Sequence, residues 1–354
     1  MLKWFDACRI GLMTVVAIFA AGASAQTIRL GTANVTQQTH TITYSSVPST
    51  YFWKEEGLNV QLIGLAGANA TIEALDAGQV DVAVPATSAV FALLQARPQS
   101  DLVAFYTFTN SFNALPAVPK DSPIRRVRDL MGKTIGVQNL ANSQVALTRA
   151  MVKLDGGDPA ALKFIAVGEG VEAVRALQTK QVDAVALFDS LYALIEAEGV
   201  PLRILESDQV QSDKVGFVGV LVTKRAYFEQ NREALTRLAR GVAKASVFAK
   251  HNPQGAVRVH WAMFPVTRQR GVSEEAAMRR SLLPMQARLQ NVHEVGGLWG
   301  NATPEQIAGY QQLLLEGGVL KQRVDTSRLW NPSLLKEINN FDRKSVEKLA
   351  EQAK

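Results

Sequence analysis

The chain has 354 residues, a formal net charge of +6, 47% hydrophobic residues and one cysteine. That length suits two lobes of ordinary size. The lone Cys8 has no partner for an intrachain disulfide, and a modest positive excess without a dense basic run argues against nucleic-acid binding.

Residues 1–25 read as a secretory signal. Lys3 and Arg9 make a basic start, Ile10 to Gly22 is an apolar run, and Ala23-Ser24-Ala25 offers small residues for cleavage. The run is short for a membrane span of roughly 20 residues. Cleavage near Ala25 leaves a chain from Gln26 that has no thiol and carries a net charge of +5. Disulfides, cysteine nucleophiles and thiolate metal sites are thereby excluded. No later stretch approaches a membrane-spanning length, so a soluble periplasmic protein is expected.

Strand-like runs then alternate with amphipathic segments, the pattern of an α/β fold with mostly parallel pairing. Strands are expected at 27–31, 59–65, 80–84 and 102–107, with helices at 42–56, 69–77 and 87–95. Gly57 after Glu55-Glu56 is a helix stop. Asn110 to Pro123, with three prolines and little periodicity, reads as a connection leaving the first lobe.

A second series follows, with strands at 134–137, 164–167 and 182–187 and helices at 143–154, 171–180 and 190–198. Glu73-Ala-Leu-Asp-Ala-Gly-Gln-Val-Asp-Val-Ala-Val84 is echoed 102 residues later by Arg175-Ala-Leu-Gln-Thr-Lys-Gln-Val-Asp-Ala-Val-Ala186. The order of surrounding elements matches too, which predicts two similarly built lobes. A strand within Val215 to Val222 is expected to carry the chain back to the first lobe. Helices from Asn231, from Pro253 and from the Thr303-Pro304 start are expected to pack there. The organisation is thus 26–112 with 220–354 as one lobe and 113–219 as the other, joined by two crossings that form a hinge.

Four segments carry a family resemblance: Tyr51-Phe-Trp-Lys-Glu-Glu-Gly-Leu-Asn-Val60, Ala74 to Ala83, Arg128-Asp-Leu-Met-Gly-Lys-Thr-Ile-Gly-Val137 and Val182 to Asp189. In this order and spacing, over roughly Ile28 to Phe264, the chain resembles the nitrate/sulfonate/taurine and thiamine-precursor binding proteins of ABC importers. The resemblance implies a type II periplasmic binding fold, two α/β lobes that close on a small molecule and dock on an inner-membrane permease. It also implies a protein that works as a monomer without a cofactor.

In open α/β sheets ligands sit beyond the carboxyl ends of the strands, where helix starts present unpaired N–H groups. The first lobe therefore offers Thr32, Asn34, Thr36 and Gln37, then Gly67, Ala68, Asn69 and Thr71, then Pro85, Thr87 and Ser88. The second offers Gln138, Asn139, Asn142 and Ser143, then Asp189 and Ser190. Asn69 and Thr87 serve equally as helix caps, and Asp189 is either the one cleft charge or a cap for the helix at Ser190. The echo sets Thr87-Ser88 opposite Asp189-Ser190. No lysine or arginine falls in these loops, which favours a monoanion or a neutral heteroaromatic ligand. Tyr106, Phe108 and Phe112 form either a stacking wall or hinge packing.

His40, His251, His260 and His293 lack metal-ligand spacing, and His40 reads as a solvated loop residue. No nucleophile elbow, P-loop or dinucleotide turn appears. A relative that makes a thiamine pyrimidine is associated with a cysteine-rich motif, which the mature chain lacks. Binding rather than catalysis is expected; the alternatives are a ligand sensor for a receptor and a pyrimidine-synthase-like enzyme of the same fold.

Overall fold

The computed structural model describes residues 26–353 apart from 141–142, 169–170 and 213. The signal segment and Asn142 therefore lie outside the described residues. Ten strands occur among the described residues: β1 Gln26–Thr32, β2 Leu58–Gly64, β3 Val82–Val84, β4 Leu102–Thr109, β5 Ala117–Pro119, β6 Thr134–Val137, β7 Lys163–Ala166, β8 Ala184–Ala186, β9 Leu202–Ile204 and β10 Gly219–Lys224. They form two five-stranded sheets of order β2-β1-β3-β10-β4 and β7-β6-β8-β5-β9. In the first, β1 runs parallel to β2 and β3, while β10 returns antiparallel between β3 and β4. In the second, β6 runs parallel to β7 and β8, while β5 lies antiparallel between β8 and β9.

The helices that matter for the site are α1 Gly67–Asp76, α2 Thr87–Ala96, α3 Ser143–Leu154, α4 Val171–Gln178 and α5 Asp189–Ala197, followed by α6 Arg225–Gln230, α7 Arg232–His251, α8 Pro253–Met263, α9 Glu274–Gln290 and α10 Pro304–Glu316. No helix among the described residues is long and apolar enough to cross a membrane.

The 102-residue echo has a structural cause. β3 and β8, and the starts of α2 and α5, differ by that offset. Asp81 and Asp183 sit just before β3 and β8, and each takes a backbone N–H of the neighbouring strand, Arg29 at 2.8 Å and Thr134 at 2.8 Å. An aspartate there satisfies a donor that the short strand has no carbonyl to meet. The turn before each is left-handed, with Gly78 at φ 74° and Lys180 at φ 55°.

Several elements depart from the sequence expectation. The helix expected at 42–56 is a 3-10 turn at Thr39–Tyr44 and a wider turn at Pro48–Phe52. Pro48 has no N–H to donate to a preceding helix turn, and the run of Thr and Ser offers hydroxyls that compete for backbone partners, as Ser45 and Ser49 do. β5 and β9 are three-residue strands that carry little periodicity, and the pairing of β5 with β8 and of β9 with β5, rather than local preference, makes them.

The expectation that the C-terminal helices pack only on the first lobe is also corrected. α9 lies between Thr39–Tyr44 and α5, and α10 packs against α3 with Lys153 paired to Glu316 at 2.8 Å. Gly317 sits on the Ala146 carbonyl, where a Cβ would come within 2.7 Å.

The chain passes between the sheets at 110–116 and 205–218, and these crossings touch. A Cβ on Gly216 would stand 2.3 Å from the Asn110 carbonyl oxygen, so only glycine permits the approach. Next to it Phe217 takes φ 60°, an unusual conformation for a bulky residue, with its buried ring 5.2 Å from that of Trp330.

Candidate functional site

A cavity of about 900 Å³ opens between the two sheets at the carboxyl ends of the strands. From the first sheet it is lined by Ala33 and Asn34, by Ala66 to Asn69 at the start of α1, and by Val84 to Ala86, Ser88, Ala89 and Ala92 at the start of α2. From the second it is lined by Gln138 to Leu140, Ser143 to Leu147, Arg149 and Phe188. Phe108, Thr109, Phe112, Asn113, Val218 and Gly219 from the crossings complete the wall, with Arg288 from α9 and Tyr310 from α10.

Of the loop residues read from sequence, Asn34, Gly67, Ala68, Asn69, Pro85, Ser88, Gln138, Asn139 and Ser143 line the cavity. Thr32 does not: it is buried and its hydroxyl accepts from Gln37 Nε2 at 2.6 Å, which also withdraws Gln37. Thr36 is exposed outside the lining, and Thr71 turns its hydroxyl back to the Gly67 carbonyl at 2.9 Å. Thr87 and Ser190 are buried, and neither hydroxyl has a partner. Tyr106 lies back along β4 in the first core, pressed against Gly300; Phe108 and Phe112, nearer the strand end, do reach the cavity.

Neither expected cap acts as one. α1 is capped at Ala66 and α2 at Ala86, both without a side-chain bond, so Asn69 and Thr87 are inside the first turn. The consequence at α1 is that Ala68 and Asn69 keep backbone N–H groups that no described residue accepts from. At α2 the hydroxyl of Tyr310 reaches Ser88, and burial pushes the Tyr310 pKa up to about 12, so it stays a neutral donor and acceptor.

Asp189 is the largest correction. It faces away from the cavity and receives Arg288 Nε at 2.9 Å and Nη2 at 2.7 Å, together with Asn291 Nδ2 at 2.9 Å. The α5 cap position is Phe188, without a side-chain bond, and within α5 Asp189 accepts from the N–H of its neighbour Ser190. Burial works against this carboxylate, but the Arg288 charge and its hydrogen bonds outweigh that and hold its pKa below the ordinary value. Thr87-Ser88 and Asp189-Ser190 thus do not face each other across the gap; of the four only Ser88 lines it.

The loops themselves supply no cation, as read from sequence, yet the cavity has two. Arg288 comes from a helix about 100 residues downstream, and Arg149 from the second turn of α3, where it lies over the Phe164 ring at 5.4 Å. No carboxylate lines the cavity among the described residues.

His40 is not solvated: it is half-buried in the lining, edge-on to Phe188 at 6.4 Å. Burial, then the nearby Arg288 charge, pushes its pKa down to about 3, so it is neutral. Tyr44, its ring tilted against that of Phe108 at 4.7 Å, also lines the site, and burial raises its pKa to about 12. The helical reading of 42–56 hid Tyr44, and the reading of His40 as a solvated loop residue hid the other. Among the described residues no group of three or more His, Asp or Glu is placed to hold a metal ion.

Two mixed sheets, each with four strands running one way and one returning strand, facing each other over a crevice of helix starts, define a periplasmic binding protein fold. Solved structures agree. The periplasmic aliphatic sulphonate binding protein SsuA of Escherichia coli superposes with a TM-score of 0.62 at 18% identity, over 87% of this chain and 93% of that one. The alkanesulfonate-binding protein SsuA of Xanthomonas axonopodis pv. citri, bound to MOPS, gives 0.58 at 17% identity, over 86% and 98%. The desulfurization enzyme DszB shares the fold as well, with a TM-score of 0.55 at 15% identity over 89% and 99%. No curated protein matches in sequence. The NMT1/THI5-like family model matches residues 37–256, and the chain belongs to that family.

Proposed function

We propose that the protein is exported to the periplasm and is the solute-binding component of an ABC importer, working as a monomer that captures a small organic anion and presents it to an inner-membrane permease. Residues 26–112 with 220–354 act as one lobe and 113–219 as the other, and ligand draws them together by hinging at 110–116 and 205–218. Contacts made to both lobes at once, available only in the closed form, supply the driving energy.

One observation carries this reading: the cavity lining holds two arginines, unpaired N–H groups at the start of α1 and aromatic rings, and no carboxylate among the described residues. Such a site favours a negative ligand group at a helix start and an apolar body against the rings. Asn34, Asn69, Ser88, Asn139 and Ser143 are the neutral polar groups placed to orient it. The names of the two SsuA structures, which bind sulfonates, point to the same ligand chemistry.

The test is a thermal-shift screen of the chain from Gln26 against sulfonates, nitrate, aromatic carboxylates and pyrimidine precursors. A ligand at a hundredfold excess over its Kd stabilises the native state by about 2.7 kcal/mol and raises the melting temperature accordingly. If no anion shifts it, the reading fails. A second reading, an enzyme of the same fold, draws on the likeness to DszB. Mass spectrometry of the ligand after incubation separates the two: recovery unchanged supports capture, and turnover supports catalysis.

A further inference from the structure

Arg288 sits near the end of α9, which lies between Thr39–Tyr44 of the first half and α5 of the second. Its guanidinium spends two nitrogens on Asp189, which also accepts from Asn291 Nδ2 and the Ser190 N–H. The third nitrogen, Nη1, has no acceptor among the described residues, although the side chain borders the cavity. Both partners are nearly buried, with 12% and 9% of their side chains exposed, so the pair is held rigidly and is weakly screened. The guanidinium carbon stands 5.9 Å from the centre of the Phe188 ring.

The charge balance around this donor is specific. Asp189 cancels the charge of Arg288, while His40 and Tyr44, which border the pair from the first half, are neutral at physiological pH. The cavity therefore presents a directed donor with little net positive field at that spot. A single negative group on Nη1 is satisfied by it, whereas a second one close by gains little from a guanidinium whose charge Asp189 already offsets. Size adds a second constraint. About 900 Å³ is many times the ~30 Å³ share of one water and lies within the range of pockets that enclose molecules of tens of atoms. The rings of Phe108, Phe112 and Phe188 along its wall give a flat apolar body a surface to rest on.

Resting on the importer reading above, we propose that Arg288, clamped by Asp189 across the two lobes, is the residue that reads the ligand's charge, and that the clamp tunes the site to a bulky planar organic monoanion. Its anionic group lies on Arg288 Nη1, and its flat body lies against Phe108, Phe112 and Phe188.

Calorimetry with three probes of one shape tests this: naphthalene-2-sulfonate, its neutral sulfonamide and naphthalene-2,6-disulfonate. The unaltered chain binds the monosulfonate at least roughly ten-fold more tightly than either of the others, the worth of a hydrogen bond to a charged group. The double substitution Asp189→Asn with Arg288→Gln keeps a hydrogen-bonding pair without charge, so no buried ion is stranded. It weakens the monosulfonate by roughly ten- to a hundred-fold and leaves the sulfonamide unchanged. Asp189→Asn alone leaves Arg288 uncompensated and raises the disulfonate relative to the monosulfonate. A merely structural role would lower all three probes alike, and that result overturns the assignment. So does an unaltered chain that binds the sulfonamide as tightly as the sulfonate. If the unaltered chain binds none of the probes while another class in the screen binds, this inference alone falls; if nothing binds in either experiment, the importer reading falls with it.

Discussion

The two helix starts that follow β3 and β8 occupy equivalent places, 102 residues apart, and do different work. At α2 the chain reads Ala86-Thr87-Ser88, and the Thr87 hydroxyl is buried without a partner while Ser88 lines the cavity. At α5 it reads Phe188-Asp189-Ser190, and Asp189 is turned to α9, where it holds Arg288. The backbone frame repeats; the side chain at one position makes the first start a cavity wall and the second a clasp on α9. A clasp needs a partner from a third element, so the long C-terminal extension is what lets the repeated frame diverge.

The comparison is tested most severely by stability. Asp189→Ala strands a buried guanidinium and is expected to cost about 3–5 kcal/mol in urea unfolding. Thr87→Val at the equivalent position removes an unpaired hydroxyl with little change of shape, and stability should change by less than about 1 kcal/mol in either direction. Equal losses at the two positions would mean that the asymmetry of the two starts has no energetic content.

A middle-sized effect separates the halves by pH. All four histidines lie outside residues 113–219. His260 is fully buried, with Nδ1 3.1 Å from the Ser46 hydroxyl, and burial pushes its pKa down from 6.5 to about 4. Between those values the unfolded chain binds a proton that the folded chain refuses, so stability is full above about pH 6.5 and declines as pH falls towards 4, by about 2 kcal/mol at pH 5. His260→Gln should reduce that slope, which the depressed His40 shares, in urea midpoints taken near neutral pH and near pH 5. Hydrogen exchange at the lower pH should loosen β1 and its neighbours before β6 and β8. An unchanged slope would remove His260 as the cause.

The smallest effect lies in the two left-handed turns. Lys180→Gly should stabilise by about 0.5–1 kcal/mol, because glycine meets φ 55° without the clash a Cβ causes, while Gly78→Ala should cost about 1 kcal/mol. A loss at Lys180 would show that its side chain contributes more than its backbone strain removes.

Local pattern was enough to see the repeated α/β units, because each parallel strand is an apolar run and each following helix has one buried face. The Val-Asp pairs at 80–81 and 182–183 mark equivalent ladder starts for the same reason. The loops at strand ends were legible too, and nine of their residues do line the cavity. What lay beyond reach depended on direction and distance. Whether Thr87 or Asp189 faces the crevice or the core is set by helix phase, since one residue of shift in where α2 or α5 begins turns the side chain by about 100°, and the facing of Thr32 is set by the alternation of β1.

Composition, hydrophobic period and the 102-residue echo by themselves determine that this is a two-sheet α/β protein with its helix starts gathered at the strand ends, since burial of alternating faces follows from local sequence. Tertiary structure alone decides the chemistry of the cavity. Arg288 is about 100 residues from Asp189, and only the packing of α9 between the two halves brings a cation to a site whose own loops contain none, because electrostatic contact depends on separation in space and not along the chain.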